Sequence, residues 1–113
     1  MTIQEIVKAL SLKVIAGQSN LDKVVSGGYA SDLLSNVMGQ ANAGNIWVTM
    51  QGHQNIVAVA LLAGLTAIVI AGGVEPDPEA VRKAETEEIV MLTTTLSAYE
   101  VVGRLYQLGI TGE

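Results

Sequence analysis

The chain contains no cysteine and no phenylalanine, only two prolines and one tryptophan, and few charged residues. Without cysteine there is no disulfide, no zinc ribbon and no thiol nucleophile. A single tryptophan and three tyrosines offer no platform on which bases would stack. Basic residues are scarce as well: six Lys and Arg stand against eleven Asp and Glu, a formal net charge of −5. Nucleic acids and anionic membranes both call for a basic face, so neither is an expected partner. One histidine and no cysteine fall short of a metal-ligand set, and no metal or cofactor is expected. Neither Gly-x-Gly-x-x-Gly nor Gly-Lys-Ser/Thr occurs, which excludes the dinucleotide fingerprint and the P-loop. The opening residues Met1-Thr2-Ile3-Gln4-Glu5 have no basic n-region followed by an apolar h-region. No signal peptide is expected there, and the cytoplasm is the expected location.

What is present is apolar. Half of the residues are hydrophobic and the mean hydropathy is positive, which excludes disorder. A chain of 113 residues fits one domain, expected over residues 1–113. From Leu33 to Val74 there is no Asp, Glu, Lys or Arg, and Ile56 to Val74 imitates a membrane span. Gly64 divides that run, however, into an Ala/Leu-rich first half and a β-branched second half, Ala67-Ile68-Val69-Ile70. The pattern reads as a buried helix, a glycine turn and a buried strand, each too short to span a bilayer.

The same step recurs along the chain. Thr2 and Glu5 form a capping box before a helix with Ile3, Ile6, Val7 and Leu10 on one stripe. Lys13 to Ala16 and Val24-Val25 are expected strands, the second leading into a turn at Gly27-Gly28. Ser31 to Met38 is an expected helix with Leu33, Leu34, Val37 and Met38 inward. Strand Ile46–Met50 and helix Gln54–Ala63 follow, then strand Leu65–Ala71. Asp77 with Pro78 opens a helix that turns Ala80, Val81 and Ala84 inward; after it come strand Ile89–Thr93 and a helix capped by Ser97. The expected fold is α/β, a single three-layer domain with a mainly parallel central sheet and helices on both faces.

Ligands of parallel sheets bind at the carboxyl ends of the strands, where helix N-termini gather. The expected ends carry Gly27, Gly28, Tyr29, Ser31 and Asp32; then Gln51, Gly52, His53 and Asn55 beside Thr49; then Gly72 and Gly73; then Thr94 within Thr93-Thr94-Thr95. Glycines admit a close ligand, and amides and hydroxyls suit an anion such as a phosphate or a nucleotide. The competing reading is plain turn and cap chemistry. His53 can be a general base, a phosphate ligand or a polar loop residue, and no nucleophile motif accompanies it. Asp32, beside the uncharged stretch, is the charged residue most apt to have a special task. Two segments, Gly27 to Asp32 and Gly72 to Asp77, both read Gly-Gly-x-x-x-Asp.

Three segments together resemble stand-alone DRTGG-domain proteins: Val25-Ser26-Gly27-Gly28-Tyr29-Ala30-Ser31-Asp32-Leu33-Leu34-Ser35, Gly52-His53-Gln54-Asn55-Ile56-Val57-Ala58-Val59-Ala60, and Ile68-Val69-Ile70-Ala71-Gly72-Gly73. The likeness runs from about Ile3 to Ile110. It implies an α/β domain related to the N-terminal domain of HPr kinase/phosphorylase, with similar domains accompanying phosphotransacetylases and CBS-containing pyrophosphatases. There they are non-catalytic regulatory or dimerising modules, and the resemblance brings no catalytic residues. Ala71 stands where the name motif has Thr, and no Asp-Arg pair precedes it.

The expected function is a non-enzymatic regulatory module, a homodimer, that binds a small anionic or nucleotide-like metabolite at the strand ends. The alternative is a ligand-free structural adaptor that dimerises or docks on a larger metabolic enzyme, since a small apolar chain can leave apolar surface uncovered. A third reading, an enzyme using His53 as acid and base, has no supporting motif.

Overall fold

The computed structural model describes residues 1–112. Its first helix, α1 (Ile3–Leu10), starts at the expected capping box: Thr2 accepts from the Glu5 amide, and Glu5 Oε1 accepts from the Thr2 amide at 2.9 Å. Satisfying two of the orphan amides of a helix start in this way fixes where the helix begins. The strand β1 (Lys13–Ala16) follows directly.

The rest of the chain alternates strand and helix. The elements are β2 (Gly27–Ala30), α2 (Leu34–Gln40), β3 (Asn45–Thr49), α3 (Asn55–Ala63), β4 (Ala67–Ile70), α4 (Pro78–Glu87), β5 (Val90–Thr93) and α5 (Ala98–Gln107). The five strands form one sheet in the order β1-β5-β4-β3-β2. Strands β2, β3, β4 and β5 run parallel, and β1 is added antiparallel to β5. The fold is thus the expected α/β layer architecture, with a mostly parallel sheet between helices.

Alternating side chains divide the core into two layers, as a two-sided strand requires. On one face Ile46, Val48, Val69, Val90 and Leu92 pack with Ile3 and Ile6 of α1 and Val101 and Leu105 of α5. On the other, Trp47, Ile68, Ile70 and Met91 pack with Val37 of α2, Ile56, Val57 and Ala60 of α3, and Ala80 and Ala84 of α4. Each large side chain removed from water here contributes about 1.5–3 kcal/mol. Trp47 is fully buried, and its indole N–H donates to the Ser31 carbonyl at 2.9 Å, so its polar atom is not stranded.

The apolar stretch resolves as expected, into α3, Gly64 at φ 70° and β4, and no helix among the described residues is long and apolar enough to cross a membrane. Ser97 caps α5 by accepting from the Glu100 amide. Asp77 occupies the N-cap of α4 with Pro78 at the first turn, but its side chain makes no capping bond.

Two expected elements are placed otherwise. Val24-Val25 is not a strand: Val24 forms only an isolated bridge with Thr2, and the strand is Gly27–Ala30. Pairing of Gly28 with Ile46 and of Tyr29 with Trp47 overrides the weak strand preference of glycine. The helix expected from Ser31 instead begins at Leu34, and of its four supposed inward residues only Val37 is buried. Leu33 is 65% and Met38 41% exposed. The cause is Asp32, whose side chain bonds across to the end of β3 and holds residues 31–33 out of helical conformation.

Candidate functional site

The carboxyl ends of β2 and β3 lie side by side, and their polar groups are bonded to one another. Asp32 Oδ1 accepts from the Thr49 hydroxyl and from the Met50 amide, both at 2.7 Å. Gln51 donates its side-chain amide to the Asp32 carbonyl at 3.3 Å and its backbone N–H to Thr49 Oγ1 at 3.1 Å. Ser31 accepts from the Leu33 amide through its hydroxyl. His53 is exposed, and its Nδ1 accepts from the Asn55 amide at 3.1 Å, so the ring caps the start of α3. Tyr29 donates its hydroxyl to Asn36 Oδ1 at 2.6 Å and thereby ties β2 to α2.

Other candidates are placed differently: Gly52 is closely packed, while Gly28 and Tyr29 line a smaller cavity of about 190 Å³ with Val102, Leu105 and Tyr106 of α5. The Gly52 carbonyl accepts from the Asp77 amide at 2.8 Å, and a Cβ at Gly52 would lie 3.1 Å from the Glu75 carbonyl oxygen and Pro76 Cα. Gly27 and Gly28 are not in a turn after a strand. They open β2, which puts Gly27 at the opposite end of the sheet, paired with Asn45, while the Gly28 amide donates to the Thr111 carbonyl at 2.8 Å.

The ends of β4 and β5 differ. The chain leaves β4 for α4 on one face of the sheet and leaves β5 for α5 on the other. Where two neighbouring connections part to opposite faces, a parallel sheet opens a crevice, the position at which such folds bind ligands. A cavity of about 510 Å³ lies there. The β4–α4 connection supplies Gly73, Val74, Glu75 and Pro76, and α4 adds Val81. The β5–α5 connection supplies Thr93, Thr94 and Thr95, and antiparallel β1 brings Lys13 and Ile15, with Ser11 just before it.

Gly72 and Gly73 both take positive φ, 74° and 73°, which turns the chain sharply away from β4. Their amides are held by the β5–α5 connection: Gly72 donates to the Leu96 carbonyl at 2.7 Å and Gly73 to the Thr94 carbonyl at 2.9 Å. Thr94 Oγ1 accepts from the Leu96 amide at 3.1 Å. The rim is therefore braced. Among the described residues the amides of Val74, Glu75 and Thr95 donate to no protein acceptor, and the Lys13 ammonium has no carboxylate partner. Such groups are completed by water or by a ligand.

Of the expected residues, the structure brings Gly73 and Thr94 together at this cavity. Asp32, Gln51, His53 and Asn55 stand at strand ends whose polar groups are already paired. Lys13, Ser11 and Glu75 were not anticipated. No local signal marks Lys13, which reaches the site through pairing with Thr93, eighty positions away in sequence, whereas Glu75, two residues after Gly73, falls under the same strand-end rule as that glycine.

No curated protein sequence matches the chain. Among solved structures, a similar fold occurs in the CBS and DRTGG domains of the regulatory region of Clostridium perfringens pyrophosphatase, complexed with the activator diadenosine tetraphosphate. The TM-score is 0.75 and the identity 14%, over 94% of this chain and 46% of that one. The chain thus spans about half the length of that neighbour. The sequence pattern of the DRTGG domain matches residues 5–108, nearly the whole chain, and the protein belongs to the DRTGG domain family.

Proposed function

We propose that residues 1–113 form one non-catalytic regulatory module, located in the cytoplasm, that binds a small anionic or nucleotide-like metabolite in the cavity between the β4–α4 and β5–α5 connections. The carrying observation is the cavity itself, with Lys13, three threonines and three unpaired amides around a crevice where the connections part. Gly73 and Thr94 are proposed ligand-binding residues. Membership of the DRTGG family supports a regulatory role, and a fold neighbour whose regulatory region is complexed with a dinucleotide activator supports a nucleotide-like ligand.

The test is thermal melting against nucleotides, acyl phosphates and coenzyme A derivatives. A ligand at about 100 times its Kd raises stability by ~2.7 kcal/mol, a shift of several degrees at this size. A saturable shift, reduced in Lys13→Glu, is the expected result. A flat panel refutes the reading.

A second reading, an adaptor that dimerises or docks on a metabolic enzyme, is favoured by one observation. The outer side of α5 exposes Tyr99 (90%), Tyr106 (63%) and Val102 (37%). That spacing is one helical stripe, and exposed apolar stripes of this kind mark contact surfaces. The two readings are compatible in a homodimer. Sedimentation analysis and pulldowns decide the point: a dimer that Tyr99→Lys/Tyr106→Lys converts to monomer supports it, and a monomeric wild type that recovers no partner refutes it.

A further inference from the structure

The cavity has a mainly polar side and a mainly apolar one. The β1–β5 side presents a cation and hydroxyls, Lys13 and Thr95 among them, with one apolar residue, Ile15. The side made by the β4–α4 connection and α4 presents apolar Val74, Pro76 and Val81, with one carboxylate, Glu75, between the first two in sequence. An anion alone would have no use for the apolar side, and an apolar ligand none for the cation. The volume, about 510 Å³, lies in the lower half of the ~300–1,000 Å³ range of small-ligand sites, which suits a ligand of nucleotide size.

The charge count sets the number of phosphates. Sites for polyphosphates carry several cations or a divalent metal ion that bridges the phosphate groups. This cavity is lined by one cation and one carboxylate, so its side chains carry no net positive charge to spread over several phosphates. Each further phosphate adds negative charge that no second cation of the lining offsets, and Glu75 adds to that charge.

We infer that the ligand is a nucleoside monophosphate, its phosphate on Lys13 and Thr95 and its heterocycle against Val74, Pro76 and Val81, with Glu75 disfavouring longer phosphate chains. This rests on the anion-binding reading given above and narrows it.

Calorimetric titration of the full chain tests it. The probes are the four common ribonucleoside 5′-monophosphates, their nucleosides and triphosphates, inorganic phosphate and diadenosine tetraphosphate. At least one monophosphate is expected to bind about 10-fold more tightly than its nucleoside, its triphosphate or phosphate alone. Lys13→Ala removes that advantage and leaves nucleoside binding unchanged, while Glu75→Gln narrows the gap to the triphosphate. Both side chains are exposed, so the fold survives either change.

A triphosphate or the dinucleotide binding more tightly than every monophosphate, in a Lys13-dependent way, overturns the inference and leaves the anion-binding reading standing. Inorganic phosphate binding as tightly as the monophosphates does the same. Monophosphate affinity unaffected by Lys13→Ala removes the ligand from this cavity and overturns the inference. No binding by any probe overturns the inference, and a flat melting panel with acyl phosphates and coenzyme A derivatives as well overturns the anion-binding reading.

Discussion

Two segments of this chain share the spelling Gly-Gly-x-x-x-Asp and differ in almost everything else. In the first, Gly27 and Gly28 lie inside strand β2, and the aspartate, Asp32, reaches across to bond the end of β3. In the second, Gly72 and Gly73 form a left-handed turn after β4. The aspartate, Asp77, sits at the N-cap of α4 with its side chain making no capping bond. The first segment closes its strand ends by spending side-chain polarity within the protein. The second is braced by backbone bonds and leaves its polar groups free around a cavity. Identical residue types at identical spacing therefore say little about binding; what matters is whether their hydrogen-bonding capacity is already spent.

The largest effect that would test this contrast comes from Asp32→Ala. It leaves the Thr49 hydroxyl, in a residue only 1% exposed, without its acceptor partner, and it frees the Met50 amide. Loss of about 2 kcal/mol is expected, or roughly 6–10 °C in Tm for a domain of this size. Ligand affinity at the β4–β5 cavity is expected to stay within about 2-fold, since the cavity does not include β2 or β3. Unchanged melting together with lost binding would invert the comparison and make Asp32 the ligand residue.

Next in size are the alanine substitutions of the second pair. Gly72→Ala and Gly73→Ala each force a side chain into the left-handed region, at about 1–2 kcal/mol. At Gly72 the new Cβ would also lie 2.9 Å from the Met50 methyl carbon, whereas at Gly73 it meets nothing within 4 Å. Gly72→Ala is expected to melt lower than Gly73→Ala by a degree or two, because the flexible end of Met50 yields part of the contact. Gly73→Ala alone is expected to weaken ligand binding, as only Gly73 lines the cavity. Equal losses of affinity in the two variants would mean that the turn matters and the opening beside Gly73 does not.

A smaller effect belongs to His53, the residue that most invites a catalytic reading from sequence. Its Nδ1 caps the Asn55 amide at the start of α3, a contact worth about 0.5–1 kcal/mol. His53→Ala should lower Tm by a few degrees and leave ligand affinity unchanged; His53→Asn, which also caps, should restore most of the loss. Loss of binding without loss of stability would return His53 to the site.

The layer order was legible because it is written locally. Ile46 to Val48 and Ala67 to Ile70 are apolar on both sides of the strand, as burial between two helix layers demands, and Gly64 marks the stop between α3 and β4. Val24-Val25 misled because two β-branched residues satisfy a strand preference, while the pairing that decides the strand comes from β3, nearly twenty residues on. The helix start was misplaced for a similar reason, since Asp32 has a distant partner that no local pattern reveals. The cavity was half legible. Gly73 and Thr94 follow from the rule that ligands sit at strand ends. The choice of β4 and β5 over β2 and β3 depends on which face each connection takes, and Lys13 depends on β1 joining the sheet antiparallel. Both are properties of long-range topology.

The smallest predicted effect lies outside both segments and controls for general changes in stability. Glu5 has its carboxyl pKa held below the ordinary value, first by the hydrogen bond from the Thr2 amide and then by the Thr2 hydroxyl. A carboxylate with a depressed folded-state pKa contributes stability that is complete above its unfolded-state value. That contribution fades as the pH falls through the lower, folded-state pKa, when protonation replaces the charged acceptor that closes the capping box by a weaker neutral one. Glu5→Gln keeps an acceptor oxygen but does not titrate. The difference in melting temperature between wild type and Glu5→Gln should therefore be small and constant near neutral pH, and should shrink as the pH drops below the ordinary carboxylate range. A difference that instead grows on acidification would mean that Glu5 is better bonded protonated than ionised, against the geometry at Thr2. Ligand affinity at the cavity should be the same in both proteins, because α1 contributes nothing to its lining.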